Sequence, residues 1–437
     1  MKKLFALLLA SIMVLGLFAG CAPTDNGEVV LKVAAIETAY GSQMWKDVCA
    51  AFTAQTGIKV ELVTEKNLED VIGASMQGGD YPDVIHLATG RPAGLTEQFI
   101  NDKNITEITD VLSMKIPGED KTVSEKLIGG FTNTASTNPY GDGKTYLVPM
   151  FYSPCGLFYN ANLLESKGWE VPTTWDEMWA LGDLAKAEGI YLFTYPTAGY
   201  YDAFLYALMN TVGGPEFFQK ATNYAEGIWE TTEGQKVLEI VTKLATYTHP
   251  LTPTQANGTD FQKNQQFILD NEAIFMPNGT WVEGEMADAP RAEGFEWGLT
   301  ALPAVTEGGD RYSTTFIEQA WIPKQAKNQD AAKQFIAFLY SDAACTAFAK
   351  AGAIQPVPGL SDKLEGNTKT FYSIYNNGAK AAMGSFAAFK PVTGGITKAD
   401  EVFFLPIDSL VAGTITAEKY IADIIAANDI MRENLIK

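Results

Sequence analysis

The sequence predicts an α/β protein with two domains. Apolar runs of strand length alternate with amphipathic helical segments between residues 29 and 100, and this alternation favours parallel strands joined by helices. The chain has 437 residues and 46% hydrophobic content. A chain of that length is too long for one small core, so two domains are expected.

The first domain is predicted to open with three strand–helix repeats. A buried strand, 29–36, precedes an amphipathic helix that ends at Thr56 and Gly57. An alternating strand at 58–63, a helix near 68–76 and a third strand at 82–87 follow. This order predicts a parallel sheet covered by helices.

The segment 144–177 is the central stretch of the chain. A strand-like run, 146–149, is expected to stop at Pro149, because proline has no N–H to donate to a sheet. A second strand is predicted at 156–160, where aromatic residues are frequent. Thr174 and Glu177 then have the spacing of a capping box, so a half-buried helix should begin there.

Later elements are predicted in the same way. They are strand-like runs at 190–194, 270–281, 297–303 and 319–323, and helices at 200–208, 233–247, 328–339 and from about 417. Gly213, Gly214 and Pro215 should end the helix that starts at 200.

The N-terminus has the features of an exported protein. Lys2 and Lys3 precede an apolar run that is too short for a membrane span, so residues 1–20 are interpreted as a signal peptide. Cys21 resembles the acylated cysteine of a bacterial lipoprotein, and residues 21–28 would be its tether. An ordinary secretory signal with a chance cysteine is the alternative. The net charge of −20 argues against nucleic acid as a partner.

Several common kinds of site are not indicated. Cys49, Cys155 and Cys345 are widely spaced and odd in number, so we expect each to be a small buried residue and not part of a disulfide. His86 and His249 are far apart, so no metal is expected. The run 141–145 ends in Gly-Lys-Thr, but a strand follows where a phosphate-binding loop needs a helix. We expect no cofactor.

Aromatic residues lie where predicted strands end. Tyr40, Tyr152, Tyr200, Tyr201 and Trp281 all have such positions. Flat aromatic faces stack on the C–H faces of sugar rings, and polar side chains must then satisfy the buried hydroxyls. The pattern favours a carbohydrate site, although each ring alone could equally belong to the core.

The order of three short patterns resembles a known family. Tyr-x-Val-Pro at 146–149, Tyr-Asn at 159–160 and Pro-x-Thr-Trp-Asp-Glu at 172–177 are similar to the family 1 extracellular solute-binding proteins of bacterial carbohydrate ABC transporters. Maltose-binding protein belongs to that family. The resemblance implies a two-lobed periplasmic-binding-protein-like (type II) fold with a hinge and an interlobe ligand cleft.

The resemblance also implies how the chain divides. The chain would cross between lobes in the segment 144–177, near 316–322 and near 360–367. The N-terminal lobe would be 29–150 plus about 320–365. The C-terminal lobe would be 151–319 plus about 366–437.

Ligand-binding residues carry over from the family only in part. Arg91 is retained, Ser153 replaces a glutamate, and Trp281 matches the cleft tryptophan of the family. Arg91 and Asp202 would hydrogen-bond sugar hydroxyls, and aromatic residues would stack on the rings. The full expected set is Tyr40, Arg91, Tyr152, Ser153, Tyr200, Tyr201, Asp202, Trp281 and Glu318.

The implied function is capture of a solute outside the cytoplasm. We expect a monomeric lipoprotein, not an enzyme, on the outer face of the bacterial cell membrane. It would bind an oligosaccharide or amino sugar by hinge closure and deliver it to an ABC transporter permease. Two alternatives stay open: a polyamine or peptide bound by the same fold, through Glu37, Asp202 and Glu318, or a secreted glycoside hydrolase.

Overall fold

A computed structural model describes most of the chain. It covers residues 29–435 except 39, 90, 92, 129, 133, 135, 257–260, 384–387, 391 and 394–397. The predicted signal peptide, Cys21 and the tether lie outside the described residues. In the described ranges, no helix is both long and apolar enough to span a bilayer.

Strands and helices alternate along the described chain. The strands are β1 (Val30–Ile36), β2 (Lys59–Glu65), β3 (Val84–His86), β4 (Leu147–Asn160), β5 (Tyr191–Phe193), β6 (Ala273–Gly279), β7 (Trp297–Thr300), β8 (Tyr312–Trp321) and β9 (Lys380–Met383). The helices of the first half are α1 (Gln43–Thr56), α2 (Leu68–Gln77), α3 (Leu95–Asn101), α4 (Ala161–Lys167), α5 (Trp175–Ala187) and α6 (Tyr201–Thr222). Those of the second half are α7 (Thr232–Ala245), α8 (Thr252–Gln255), α9 (Phe261–Leu269), α10 (Val282–Glu285), α11 (Gln329–Phe338), α12 (Asp342–Lys350), α13 (Gly366–Tyr372), α14 (Ala399–Phe403), α15 (Pro406–Val411) and α16 (Ala417–Glu433).

Two long strands, β4 and β8, connect the two halves of the sheet. The strand order is β2-β1-β3-β8-β4-β6-β5, with β7 on β4 and β9 on β8. The β1–β2 and β1–β3 pairs are parallel, as the alternating pattern predicts. β4 and β8 pair antiparallel with each other. At one end β8 contacts β3 of the first lobe, and at the other β4 contacts β6 and β7 of the second.

The prediction that Pro149 ends a strand is wrong. β4 runs without interruption through Pro149 and Pro154, and β8 is the strand that pairs with it from Leu147 to Pro154. β6 and β7 pair only with the 155–160 end of β4, so one side of β4 is locally an edge around Pro149. An edge tolerates proline, because that side of the strand needs no ladder hydrogen bond. The proline is still accompanied by an irregularity: the β4–β8 register shifts between Pro149 and Tyr152.

Local signals fix several helix boundaries. Thr174 accepts a hydrogen bond from the Glu177 N–H, and the Glu177 carboxylate accepts one from the Thr174 N–H, which completes the predicted capping box. Gly57 ends α1 with a left-handed φ of 78°. Gly214 breaks the helical geometry inside α6, where φ is 74° and ψ is −179°. The break predicted at 213–215 is therefore confirmed.

The described core has apolar clusters on several faces of the sheet. One cluster packs α1 against α11 and α12, with Phe52 between Phe335 and Phe338. Another fills the second lobe around α6, α7 and the C-terminal helices. The three described cysteines are buried and free, as predicted. These packed faces hold the crossing strands in place.

Candidate ligand cleft

The crossing strands bring residues from distant parts of the chain to one region. Ser153 of β4 lies opposite Phe316 of β8, just beyond the register shift. Glu318 is two residues further along β8, so its side chain is on the same face of the strand as that of Phe316. Loops that follow β1, β5 and β6 then add Tyr40, Tyr200 and Trp281.

Hydroxyl groups form one part of this region. Burial and the nearby Glu318 carboxylate raise the pKa of Tyr40, and a side-chain hydrogen bond with Ser153 opposes the rise. Burial also raises the pKa of Tyr372, which has side-chain hydrogen bonds with Ser153 and Thr280. Ser153 therefore connects a tyrosine of the first lobe with one from α13.

Aromatic rings form a second, contiguous part. The Trp281 indole N–H donates to the Tyr200 hydroxyl over 3.2 Å, and its ring centroid is 5.7 Å from that of Phe316. Gly279 makes room for the indole, because a Cβ at that position would lie 2.2 Å from ring carbons. Tyr200, Trp281 and Phe316 are each only partly buried. We call these three residues the ring strip.

A carboxylate lies near each end of the ring strip. Glu318 is 25% exposed, and its Oε2 is 3.1 Å from Nε2 of His86, yet the contact lacks hydrogen-bond geometry and leaves both atoms without a partner. Burial raises the pKa of Asp202 to about 7, and a hydrogen bond from the Ala203 N–H opposes the rise. Burial, followed by the Glu285 carboxylate, raises the pKa of Tyr200, and Asp202 adds a smaller rise.

Arg91 has a partner within the first lobe. Its guanidinium binds both carboxylate oxygens of Glu69 on α2, with 3.2 Å between Nη2 and Oε2. The side chain of Arg91 is 31% exposed and that of Glu69 is 7% exposed. In this arrangement, the predicted hydrogen bond from Arg91 to a sugar would require the guanidinium to leave or share Glu69.

Two predicted stacking residues lie in the protein core. Tyr152 is 2% exposed and contacts Phe131, Tyr372 and Tyr375. Tyr201 is 1% exposed and packs against Tyr195 and other rings of the second lobe. Neither ring presents a free face in this structure, so we leave both out of the stacking set proposed below. The region thus brings together Tyr40, Ser153, Tyr200, Asp202, Trp281 and Glu318.

Several residues of the region were not expected from the sequence. Phe316 and Glu318 alternate on β8, and that spacing could have indicated Phe316 as well as Glu318. Tyr372 and Thr280 have no local pattern that marks them, since they reach Ser153 only through the tertiary fold. Among the described residues, no three histidine, cysteine, aspartate or glutamate side chains are grouped to hold a metal ion.

Two lobes joined by crossing strands, with polar and aromatic side chains where they meet, define the class of two-lobed solute-binding proteins. Comparison with known families agrees: the chain belongs to the bacterial extracellular solute-binding protein family, whose model matches residues 34–344. That match covers both crossing strands and the ring strip completely. The two-lobed α/β fold predicted from the sequence is confirmed.

Relatives and solved structures extend this comparison. The diacetylchitobiose-binding protein NgcE of Streptomyces coelicolor is 26% identical over 67% of this chain and 62% of its own length. The maltodextrin-binding protein MdxE of Bacillus subtilis is 24% identical over 80% of this chain and 79% of its own length. The bacterial solute receptor AcbH superposes with a TM-score of 0.70 at 18% identity, covering 93% of this chain and 99% of AcbH. RafE of Streptococcus pneumoniae gives 0.67 at 16% identity, covering 95% of this chain and 100% of RafE. The matched region thus spans less than two thirds of the length of NgcE. Because AcbH and RafE are only 18% and 16% identical to this chain, their structures support the fold alone.

Proposed function

We propose that the protein captures a carbohydrate, an oligosaccharide or amino sugar, between its two lobes and delivers it to an ABC transporter permease. The ring strip is the observation that carries the proposal. A sugar needs an apolar surface for its C–H faces and polar partners for its hydroxyls. Phe316, Trp281 and Tyr200 offer that surface, while Tyr40 and Ser153 offer hydroxyl partners beside it.

Sugar-binding relatives support the same ligand class. NgcE is named for binding diacetylchitobiose and MdxE for binding maltodextrin. Both are described as binding proteins, which agrees with a receptor instead of an enzyme.

Hinge closure is the proposed mechanism. The ligand would contact Tyr40 of the N-terminal lobe on one side and Ser153, Tyr200 and Trp281 of the C-terminal lobe on the other, and both sets of contacts would form together in the closed conformation. A ligand that binds one conformation more tightly shifts the population toward it. β4 and β8 would contain the hinge, close to the register shift between Pro149 and Tyr152. We place the lobe boundaries there, at residues 150–151 and 319–320, with a further crossing near 360–367.

Attachment to the membrane through Cys21 is part of the proposal. Two acyl chains on that cysteine would hold the protein at the outer face of the cell membrane. Incorporation of an alkyne-labelled fatty acid into the wild-type chain, and none into Cys21→Ser, is the expected result. Equal labelling of the wild-type protein and the Cys21→Ser variant would exclude Cys21 as the lipidation site.

A ligand screen tests the capture function. Thermal unfolding of the chain from residue 22 onward is measured with neutral and amino saccharides, polyamines and peptides. A ligand that binds only the folded form raises the melting temperature. We expect a shift with one saccharide and no product released from it. A shift with polyamines or peptides alone would overturn the ligand class, and released product would indicate a hydrolase.

A further inference from the structure

The charged side chains that flank the ring strip are acidic. At one end of the strip, Glu285 and Asp202 both act on the pKa of Tyr200, and Asp202 is two residues from Tyr200 in the chain; at the other end, Glu318 is two residues from Phe316. An ionised carboxylate only accepts hydrogen bonds. A ligand that lies along the strip therefore meets an acceptor near each end.

Within the described part of the chain, no lysine or arginine is among the groups that act on these side chains. The ionisable neighbours that shift the pKa values of Tyr40, Tyr200, Tyr372 and Cys155 are carboxylates, tyrosines and a thiol. Arg91, the cation expected here from the sequence, is bound to Glu69 on α2. A buried carboxylate without a cationic partner is costly, and a ligand donor or cation would lower that cost.

His86 provides an independent observation at the Glu318 end of the ring strip, where buried polar atoms lack hydrogen-bond partners. The imidazole is 1% exposed and lies between Trp45 and Phe151, with ring centroids 4.9 and 5.2 Å away. Neither of its nitrogens has a hydrogen-bond partner, although Glu318 Oε2 is 3.1 Å from Nε2. Buried polar groups in folded proteins are normally paired. Oε2 itself is buried against the imidazole, so a ligand donor would bind the exposed part of the Glu318 carboxylate, whose side chain is 25% exposed.

We propose that Glu318 and Asp202 set the charge selectivity of the cleft, so that it takes neutral or amine-bearing saccharides and excludes those carrying a carboxylate or phosphate. The inference rests on the proposed carbohydrate function. A carboxylate on the sugar would face like charges in a partly buried region, where they are screened less than in water. An ammonium group would instead face opposite charges.

Matched sugars test this selectivity. The probes are the neutral sugar, the 2-amino-2-deoxy sugar and the uronic acid of the glucose, galactose and mannose series, titrated by calorimetry at pH 7.5. In the series that binds, we expect the uronic acid to bind at least about tenfold more weakly than the neutral sugar, or about 1.4 kcal/mol. Glu318→Gln and Asp202→Asn should each reduce that difference, since each removes a negative charge and keeps the side-chain shape.

A carboxylate elsewhere on the second lobe provides the control. Glu170 is exposed, and Glu170→Gln should leave the discrimination against the uronic acid unchanged. If the uronic acid binds as tightly as the neutral sugar, the charge selectivity is refuted while the carbohydrate function stands. If the discrimination survives both cleft substitutions, Glu318 and Asp202 do not cause it. If neither these sugars nor any oligosaccharide of the thermal screen binds, the proposed function itself fails.

Discussion

The raised pKa of Asp202 predicts a specific effect on stability. Burial raises this pKa from 3.8 to about 7, so the folded protein holds a proton that the unfolded chain has already released. Each pKa unit corresponds to about 1.36 kcal/mol. The ionised carboxylate therefore costs the folded state up to about 4 kcal/mol at high pH, and this cost grows as pH rises through about 4 to 7.

Replacing Asp202 with asparagine removes that cost and keeps the size of the side chain. The free energy of unfolding of Asp202→Asn minus that of the wild type should rise by about 2–3 kcal/mol between pH 5 and pH 8. Urea unfolding followed by tryptophan fluorescence at several pH values measures this difference. Taking a difference cancels the contributions of the other titrating groups.

Asp80 supplies a control, because its pKa is lowered whereas that of Asp202 is raised. A hydrogen bond with Lys32 lowers the pKa of Asp80, so the stability due to this carboxylate is complete above pH 5 and is lost only as pH falls toward and below 3.8. The free-energy difference between Asp80→Asn and wild type should thus stay nearly constant from pH 5 to pH 8. An equally flat difference for Asp202→Asn would refute the argument from burial.

Three further substitutions test the ring strip and a helix start. Trp281→Ala should weaken saccharide binding by about 2–4 kcal/mol in calorimetry. Trp169→Ala, at a partly buried tryptophan outside the ring strip, should leave binding unchanged. Equal losses of affinity in the two variants would remove Trp281 from the site. Gly279→Ala should also weaken binding with little change in melting temperature, because the added methyl displaces the indole; unchanged affinity would contradict that contact. Thr174→Ala should lower the free energy of unfolding by about 1 kcal/mol through loss of the capping box, and no loss would show that the cap contributes nothing.

Sequence patterns were sufficient to predict much of the fold, because the signals that mark these strands and helices are local in sequence. The alternation of strands and helices at 30–86 is in the structure, and so are the capping box at Thr174 and the break at Gly214. The failure at Pro149 has a tertiary cause. Whether a proline ends a strand depends on whether the strand is locally an edge there, and pairing with distant residues such as Gln319, opposite Pro149, decides this.

The candidate site was only partly accessible from sequence for the same reason. Tyr40, Tyr200 and Trp281 could be selected because they follow predicted strands, and Glu318 because it lies near a predicted crossing. Tyr152 and Tyr201 have the same kind of position, yet both are buried among other rings. The direction in which a side chain points depends on strand register and helix phase, which composition alone does not determine.

Structures of the protein with and without its saccharide test the central claim most directly. Crystals grown with the sugar identified in the screen should show it against Trp281 and Phe316, with Tyr40 of the N-terminal lobe in contact on the opposite side. The lobes should also be closer together than in crystals grown without it. A sugar bound outside this region, or contacts with one lobe only and unchanged lobe positions, would contradict capture between the lobes.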